Sequence, residues 1–212
     1  MAILNEGING GFTGKVGSVI GYQLNGKWVI RGLPKFSQKN KIGTAKQQVC
    51  RKKFTLMQHF LAGVFYYIKT GFNLESKRRG ISAHNAAKSF NMINAFNEAG
   101  EIDYSKIILT YGVLEQPNVP KHYIDDSGLH FSWEINSTGG NGRTTDQVMV
   151  LAYNKTNKRA DCIFSGNRRY IGKETLEIPN LTKGDTFHTW ISFISDDRTS
   201  ISISVYIGQI TY

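Results

Sequence analysis

Ser200-Ile-Ser-Ile-Ser-Val-Tyr-Ile207 alternates polar and apolar side chains without a break. Successive side chains of a strand point to opposite faces, so this stretch predicts a β-strand. Ile201, Ile203, Val205 and Ile207 then share a core face, with the serines outside. Six more short runs of similar character precede it, at residues 107–111, 129–135, 147–153, 162–164, 174–178 and 187–194. Turn-forming clusters separate them, among them Asp125-Asp-Ser-Gly128, Thr182-Lys-Gly-Asp185 and Asp196-Asp197. Strands this short and this regularly spaced predict an antiparallel β-sandwich over residues 101–212.

The first hundred residues read differently. Gly14-Lys-Val-Gly-Ser-Val-Ile-Gly-Tyr22 predicts one strand, and Lys27-Trp-Val-Ile-Arg-Gly-Leu33 a second, closed by Pro34. Asn25-Gly26 between them supplies the two positive-φ positions of a tight hairpin turn. That turn sets Trp28 opposite Gln23, Val29 opposite Tyr22 and Ile30 opposite Gly21. Gly17 and Gly21 leave room for a ring or another backbone to approach. After a basic linker at 35–43, Thr44 and Gln47 fit a capping box. Val49, Leu56, Met57, Phe60, Leu61, Val64 and Ile68 then recur at helical spacing up to a C-cap at Gly71. Lys77-Arg-Arg-Gly80 reads as an exposed loop. A second helix starts at Ser82, carries Ala86, Phe90, Ile93 and Phe96 on one face, and ends by Gly100. The expected fold class is therefore α+β. A basic β-hairpin and two helices (1–100) precede a C-terminal antiparallel sandwich (101–212).

Charge follows the same division. The chain holds 26 Lys and Arg against 16 Asp and Glu. Residues 1–100 take 15 of the basic and 3 of the acidic groups, a net of +12, which leaves residues 101–212 at −2. No acid lies between Glu6 and Glu75. Within that stretch Lys15, Lys27, Arg31, Lys35, Lys39, Lys41, Lys46, Arg51, Lys52 and Lys53 accumulate, and Lys77, Arg78 and Arg79 follow just beyond it. A solvated surface ordinarily mixes both signs, so an acid-free stretch this long points to an acidic partner.

Catalytic and metal-binding patterns are missing. Gly14-Lys15 imitates a phosphate-binding loop, but Asn9 and Val16 stand where glycine and Ser/Thr are required. His59, His84, His122, His130 and His188 have no metal-ligand spacing, and Cys50 and Cys162 are too far apart in the chain for a zinc module. The adjacent carboxylates at 125–126 and 196–197 are explained by turn formation. Cys50 lies beside Arg51, Lys52 and Lys53, which would lower its pKa and make it reactive; the favoured reading is a small half-buried helical residue. The expectation is no enzyme, no cofactor and no small-molecule substrate. No run approaches the roughly 18 apolar residues of a membrane span. The first residues lack the basic and apolar segments of a secretory leader. With Met1 as the native start, a cytoplasmic or virion-associated location is expected.

Two resemblances rest on particular residues. Leu129-His-Phe-Ser-Trp133 is similar to the second strand of fibronectin type III and immunoglobulin-like modules, with its core Trp. Leu181-Thr-Lys-Gly-Asp-Thr-Phe187 is similar to the corner before their sixth strand, although Lys183 replaces the usual Pro and Phe187 the usual Tyr. The whole chain resembles an uncharacterised family found mainly in Bacteroidota. The shared residues are Gly10-Gly-Phe-Thr-Gly-Lys-Val-Gly-Ser-Val-Ile-Gly21, Gly26-Lys-Trp-Val-Ile-Arg31, Leu33-Pro34, Thr44-Ala-Lys-Gln47, Arg51-Lys-Lys-Phe54 and Ser202-Ile-Ser-Val-Tyr-Ile-Gly-Gln-Ile210. The layout is also similar to small phage-associated structural proteins that end in an immunoglobulin-like domain.

These readings favour a non-catalytic assembly protein, such as a virion component or filament subunit. It would associate with other copies of itself, or with another component, through Gly17, Gly21, Tyr22, Trp28 and Ile30. The alternative is non-specific nucleic-acid binding by the basic residues, with stacking on interleaved aromatics. A third reading is an adhesion module.

Overall fold

Asn25 and Gly26 hold φ at 50° and 78° and reverse the chain between β3 (Val19–Leu24) and β4 (Lys27–Gly32). Tyr22 pairs Val29, Gln23 pairs Trp28 and Gly21 pairs Ile30, the register the turn predicts. The preceding strand is not continuous. Gly17 (φ 53°) and Ser18 form a second turn, which divides the run into β2 (Phe12–Val16) and β3. β1 (Ala2–Leu4) pairs with β2, completing a four-stranded antiparallel sheet of order β1-β2-β3-β4.

The computed structural model describes residues 2–4, 10–33, 42–135 and 140–212. It divides into two compact units, Met1–Gln48 and Val49–Tyr212. Charge changes near residue 100, but the division by contacts falls some fifty residues earlier. The helices pack with the C-terminal strands and share a core with them.

Among the described residues, four α-helices of more than one turn follow the first sheet: α1 (Ala45–Gly63), α2 (Phe65–Gly71), α3 (Asn73–Arg79) and α4 (Ala83–Asn94). The capping box forms as expected. The Thr44 amide donates to Gln47 Oε1 at 2.9 Å, and the Gln47 amide to Thr44 Oγ1 at 3.3 Å. Ser82 caps α4 by accepting from the Asn85 amide at 3.2 Å. Three expectations need correction. The helix expected to run up to Gly71 breaks after Gly63, and Gly71 is the last residue of α2 with Phe72 as its cap; Gly71 is buried, and a Cβ there would lie 2.4 Å from the Leu109 carbonyl oxygen. Lys77-Arg78-Arg79 is the last turn of α3, closed by Gly80 in the left-handed region. Cations there oppose the partial negative charge of the helix C-terminus. Ile93 is 82 % exposed, because α4 turns Ala86, Ala87 and Asn91 inward instead.

Among the described residues that follow, seven strands form two antiparallel sheets. One has the order β5-β6-β9 (Asn118–Asp125, Gly128–Glu134, Lys173–Leu176). The other has the order β11-β10-β7-β8 (Val205–Thr211, Thr186–Ile194, Gln147–Asn154, Arg159–Ile163). Leu129, Phe131 and Trp133 of the first sheet join Val148, Val150, Ile191 and Phe193 of the second in one buried cluster. The opposite face of β7 and β10 supplies Met149, Leu151 and Trp190 to a second cluster with the helices. Both faces of these two strands are thus covered, and their sequences read as nearly unbroken apolar runs.

Membership of the seven strands differs from expectation in two places. β5 carries Pro120, which argues against a strand when read locally. It lies at a sheet edge, and its register shifts between Asn118 and Lys121, where a missing N–H breaks no ladder bond. Residues 107–111 are not a strand. Their amides and carbonyls are met one by one: Asn91 exchanges two 2.8 Å bonds with Ile108, the Leu109 amide donates to Ser204 Oγ, and Trp190 donates to the Ile107 carbonyl. Ser200–Ile207 is the sharpest correction. Ser202 and Ser204 are buried rather than outside, and regular pairing begins only at Val205. The Phe193 amide donates to Ser202 Oγ at 2.8 Å, so the serines serve as backbone partners between two cores.

Candidate functional site

Register sorts the N-terminal sheet into two chemically different faces. Paired residues share a face, so Leu4, Phe12, Val16, Val19, Trp28 and Ile30 lie together, around Gly14 and Gly21. The other face holds the row Lys15, Ile20 and Arg31, with Tyr22, Val29 and Lys27 beside it. Of the five residues expected to mediate association, Gly21, Trp28 and Ile30 therefore share the apolar face. Tyr22 is on the opposite face and Gly17 is in the turn. The close approach expected at Gly21 is made by Phe12 of the same sheet, whose ring would lie 2.7 Å from a Cβ there. Trp28 is half-buried, folded over Gly11, where a Cβ would sit 1.9 Å from its ring. Ile30 remains 63 % exposed.

The β4 edge is a second feature of this sheet. A two-residue hairpin loop makes Leu24–Lys27 a hydrogen-bonded pair, and every second pair after it. The Leu33 amide donates to the Ser18 carbonyl at 2.8 Å in the same phase. Trp28, Ile30 and Gly32 consequently turn their backbone groups away from β3. The strand has no proline and no bulge among its pairs.

The expected cationic residues are divided between the two compact units. Lys15, Lys27 and Arg31 are exposed on the N-terminal sheet, and Lys46, Arg51 and Lys52 on the first turns of α1. Lys53 lies over the Phe96 ring at 5.2 Å. Lys77, Arg78 and Arg79 crown α3, where Arg78 grips Glu75 in a bidentate pair at 2.7 Å. Lys35, Lys39 and Lys41 lie outside the described residues. The apolar seam of α1 is buried at Met57 and Leu61 but exposed at Val49 and Phe54. Cys50 is exposed with it, not half-buried.

Ser127 Oγ, Asp125 Oδ1 and His130 Nε2 lie within 3.0 Å of one another, and Thr175 Oγ1 is 2.9 Å from His130 Nδ1. A nucleophilic relay needs hydroxyl and carboxylate on opposite ring nitrogens. Here both meet Nε2, and Ser127 also donates to Asp125, which is turn chemistry. The hydroxyl of Ser127 and the His130 ring hold the Asp125 carboxyl down at about 2. Burial holds His188 down at about 4, where its ring stacks on Tyr104 at 3.9 Å. Among the described residues no three His, Cys, Asp or Glu side chains converge on a metal position. No helix among them is long and apolar enough to cross a membrane.

The two thiols give a direct check on this placement. Burial, and then Asp161, pushes Cys162 up to about 11, while Cys50 is open to solvent. Thiol titration with a disulfide reagent near pH 8 is expected to show one fast thiol, with the second released only by denaturant. Cys50→Ser should remove the fast phase; two fast thiols would contradict the placement of Cys162.

Sequence reasoning missed β1, the start of β2 and the turn that separates β2 from β3, and with them Leu4 and Phe12 of the apolar face. The available signal was Gly17-Ser18 between Val16 and Val19, a turn dipeptide inside a β-rich run. The chain belongs to a family of unknown function, DUF6266, whose profile matches residues 11–208. No curated protein matches it.

Proposed function

We propose that this DUF6266 chain is a non-catalytic assembly subunit, of the kind that builds a virion or a filament, and that it docks on neighbouring copies through its N-terminal sheet. The carrying observation is the β4 edge, which pairs with no further strand among the described residues and borders an apolar face that leaves Ile30 63 % exposed. A regular edge strand is a template for pairing with another chain, and monomers ordinarily blunt it. The charge division supports the same reading, because a +12 front half and a −2 back half suit head-to-tail contact.

The C-terminal sheets are read here as an immunoglobulin or fibronectin type III-like sandwich. The three-on-four strand order, with Trp133 on the second strand of the set, supports this. The corner before β10 is secured without a tyrosine hydroxyl. Asp185 accepts from the Thr182 amide at 2.9 Å and from Asn154 Nδ2 at 3.2 Å. Such modules serve as rigid spacers as often as binders, so the fold alone assigns no activity.

Light scattering on nuclease-treated protein at physiological salt tests the proposal. The expected mass is a multiple of the 23.8 kDa chain. Ile30→Pro should return the monomer, because proline there removes only the outward N–H of β4 and leaves its pairing with β3. A monomer at all concentrations, or assemblies indifferent to Ile30→Pro, would overturn the reading. Mass gained only when nucleic acid is added back would favour the basic row Lys15–Arg31 as the docking surface instead.

A further inference from the structure

The C-terminal unit carries a groove that the assembly reading does not use. A depression of 520 Å³ lies between α2, α3 and the second sheet, walled by Tyr66, Lys69, Leu74, Phe164, Arg198 and Ile201. A second, of 420 Å³, shares Leu74 and Ile201 and continues past Tyr111 and Val113. The two form one elongated, mainly apolar trough. Tyr66 and Val113, toward its two ends, are 74 % and 82 % exposed.

Two of its walls carry cations, Lys69 and Arg198. Lys69 makes no ion pair among the described residues, and neither does Arg198. Arg198 is also held in place: its backbone has φ at 60°, and its guanidinium donates to Gln147 and to Ser165 Oγ, both neutral acceptors. The carboxylate in the second wall, Glu75, is 5 % exposed and already bound by Arg78. The nearby Asp197 carboxylate is engaged by Ser195 and Thr199. Two cations that make no ion pair among the described residues, over an apolar floor, suit a ligand that is anionic and apolar in alternation. The length of the trough suits an extended segment rather than a compact molecule. The chain's own stretch between Glu6 and Glu75 contains no acid and lacks that chemistry.

We propose that this groove binds an extended acidic peptide segment of a partner protein, with carboxylates on Lys69 and Arg198 and apolar side chains over Leu74 and Ile201. The probe is a fluorescein-labelled octapeptide alternating glutamate and leucine, followed by polarisation at about 50 mM salt, where exposed charges are weakly screened. Saturable binding is expected with a dissociation constant of about 10–100 µM. Lys69→Glu and Arg198→Gly, which keeps the positive φ, should each weaken it about five- to tenfold. Ile30→Pro should bind as the unaltered chain does, so this result stands or falls independently of the assembly reading. The proposal is overturned by an absence of binding below about 1 mM, or by equal affinity for the lysine–leucine counterpart. Indifference to Lys69→Glu and Arg198→Gly, loss of binding in Ile30→Pro, or displacement by an equal concentration of oligothymidylate would overturn it too.

Discussion

Replacing Arg169 with alanine is expected to cost about 3–5 kcal/mol of stability, because it leaves a buried carboxylate without its counter-charge. Arg169 is 3 % exposed, and Asp146 is fully buried. The guanidinium meets Asp146 Oδ2 at 3.3 Å, donates to the Glu115 carbonyl at 2.8 Å and lies 3.8 Å from the centre of the Phe193 ring. Trp133 donates to the Arg169 carbonyl at 2.8 Å. One residue therefore ties segments flanking β5 and β7 to β6 of one sheet and β10 of the other.

The pair is also imperfect, since Asp146 Oδ1 and Arg169 Nε find no partner. An imperfect buried pair gives little net stability when intact but costs heavily when halved. Arg169→Met combined with Asp146→Asn should therefore lose less than Arg169→Ala alone, since it leaves no unpaired charge. The Asn side chain still offers an acceptor to the Arg143 amide, which now donates to Asp146 at 2.7 Å. Denaturant midpoints of the three proteins check this. A loss below about 1 kcal/mol for Arg169→Ala would show that Asp146 reaches water and that the pair is not a pin.

Acidification should destabilise the protein well before its carboxylates titrate. The neutral His188 ring packs between Tyr104 and Trp190, with Nδ1 2.9 Å from the Tyr206 hydroxyl. Its buried surroundings, and the charge of Lys155, bring it from 6.5 down to about 4. The unfolded chain therefore takes up a proton near pH 6.5 that the folded chain refuses until about pH 4. Stability is complete above the unfolded value, falls as pH drops across this window, and levels off below it. The shift is worth about 3 kcal/mol. Burial also lowers His84 and His122, which act in the same direction.

A second, lower window follows. Asp125 and Asp197 are held from 3.8 down to about 2 by their turn hydroxyls, so their contribution is lost only as pH falls through that range. Urea unfolding at pH 7, 5.5 and 4.5 should show most of the decline before the carboxylates respond. His188→Gln should flatten the upper window. A flat profile for the unaltered chain would mean that the imidazole is hydrated in the folded state.

What could be read from the sequence was decided within a few residues of chain. The Asn25-Gly26 turn carries its own φ requirement, and it set the register of β3 and β4 and the grouping of Gly21, Trp28 and Ile30. The Thr44–Gln47 box and the Ser82 cap are equally local. The basic row Lys15–Arg31 follows partly from the same register, but its middle member, Ile20, pairs with Lys15 only because Gly17-Ser18 turns the chain there.

Elsewhere the deciding partner is distant in sequence, and residue type alone leaves the outcome open. A serine hydroxyl satisfies water or a buried amide equally well. Ser202 and Ser204 go inside because Phe193 and Leu109 need acceptors there. Residues 107–111 have strand propensity but find Asn91, Gly71 and Ser204 in place of a neighbouring strand. Trp28 lies over Gly11 rather than standing free, and the two cations of the groove come from α2 and from the turn after β10. Sequence by itself determined the α+β class, the hairpin register, the caps and the charge division, because short-range sterics and hydrogen bonding govern each of them. Tertiary structure alone decided which polar groups are buried, which apolar ones stay exposed and which cations meet, because those depend on partners brought together only when the sheets and helices pack.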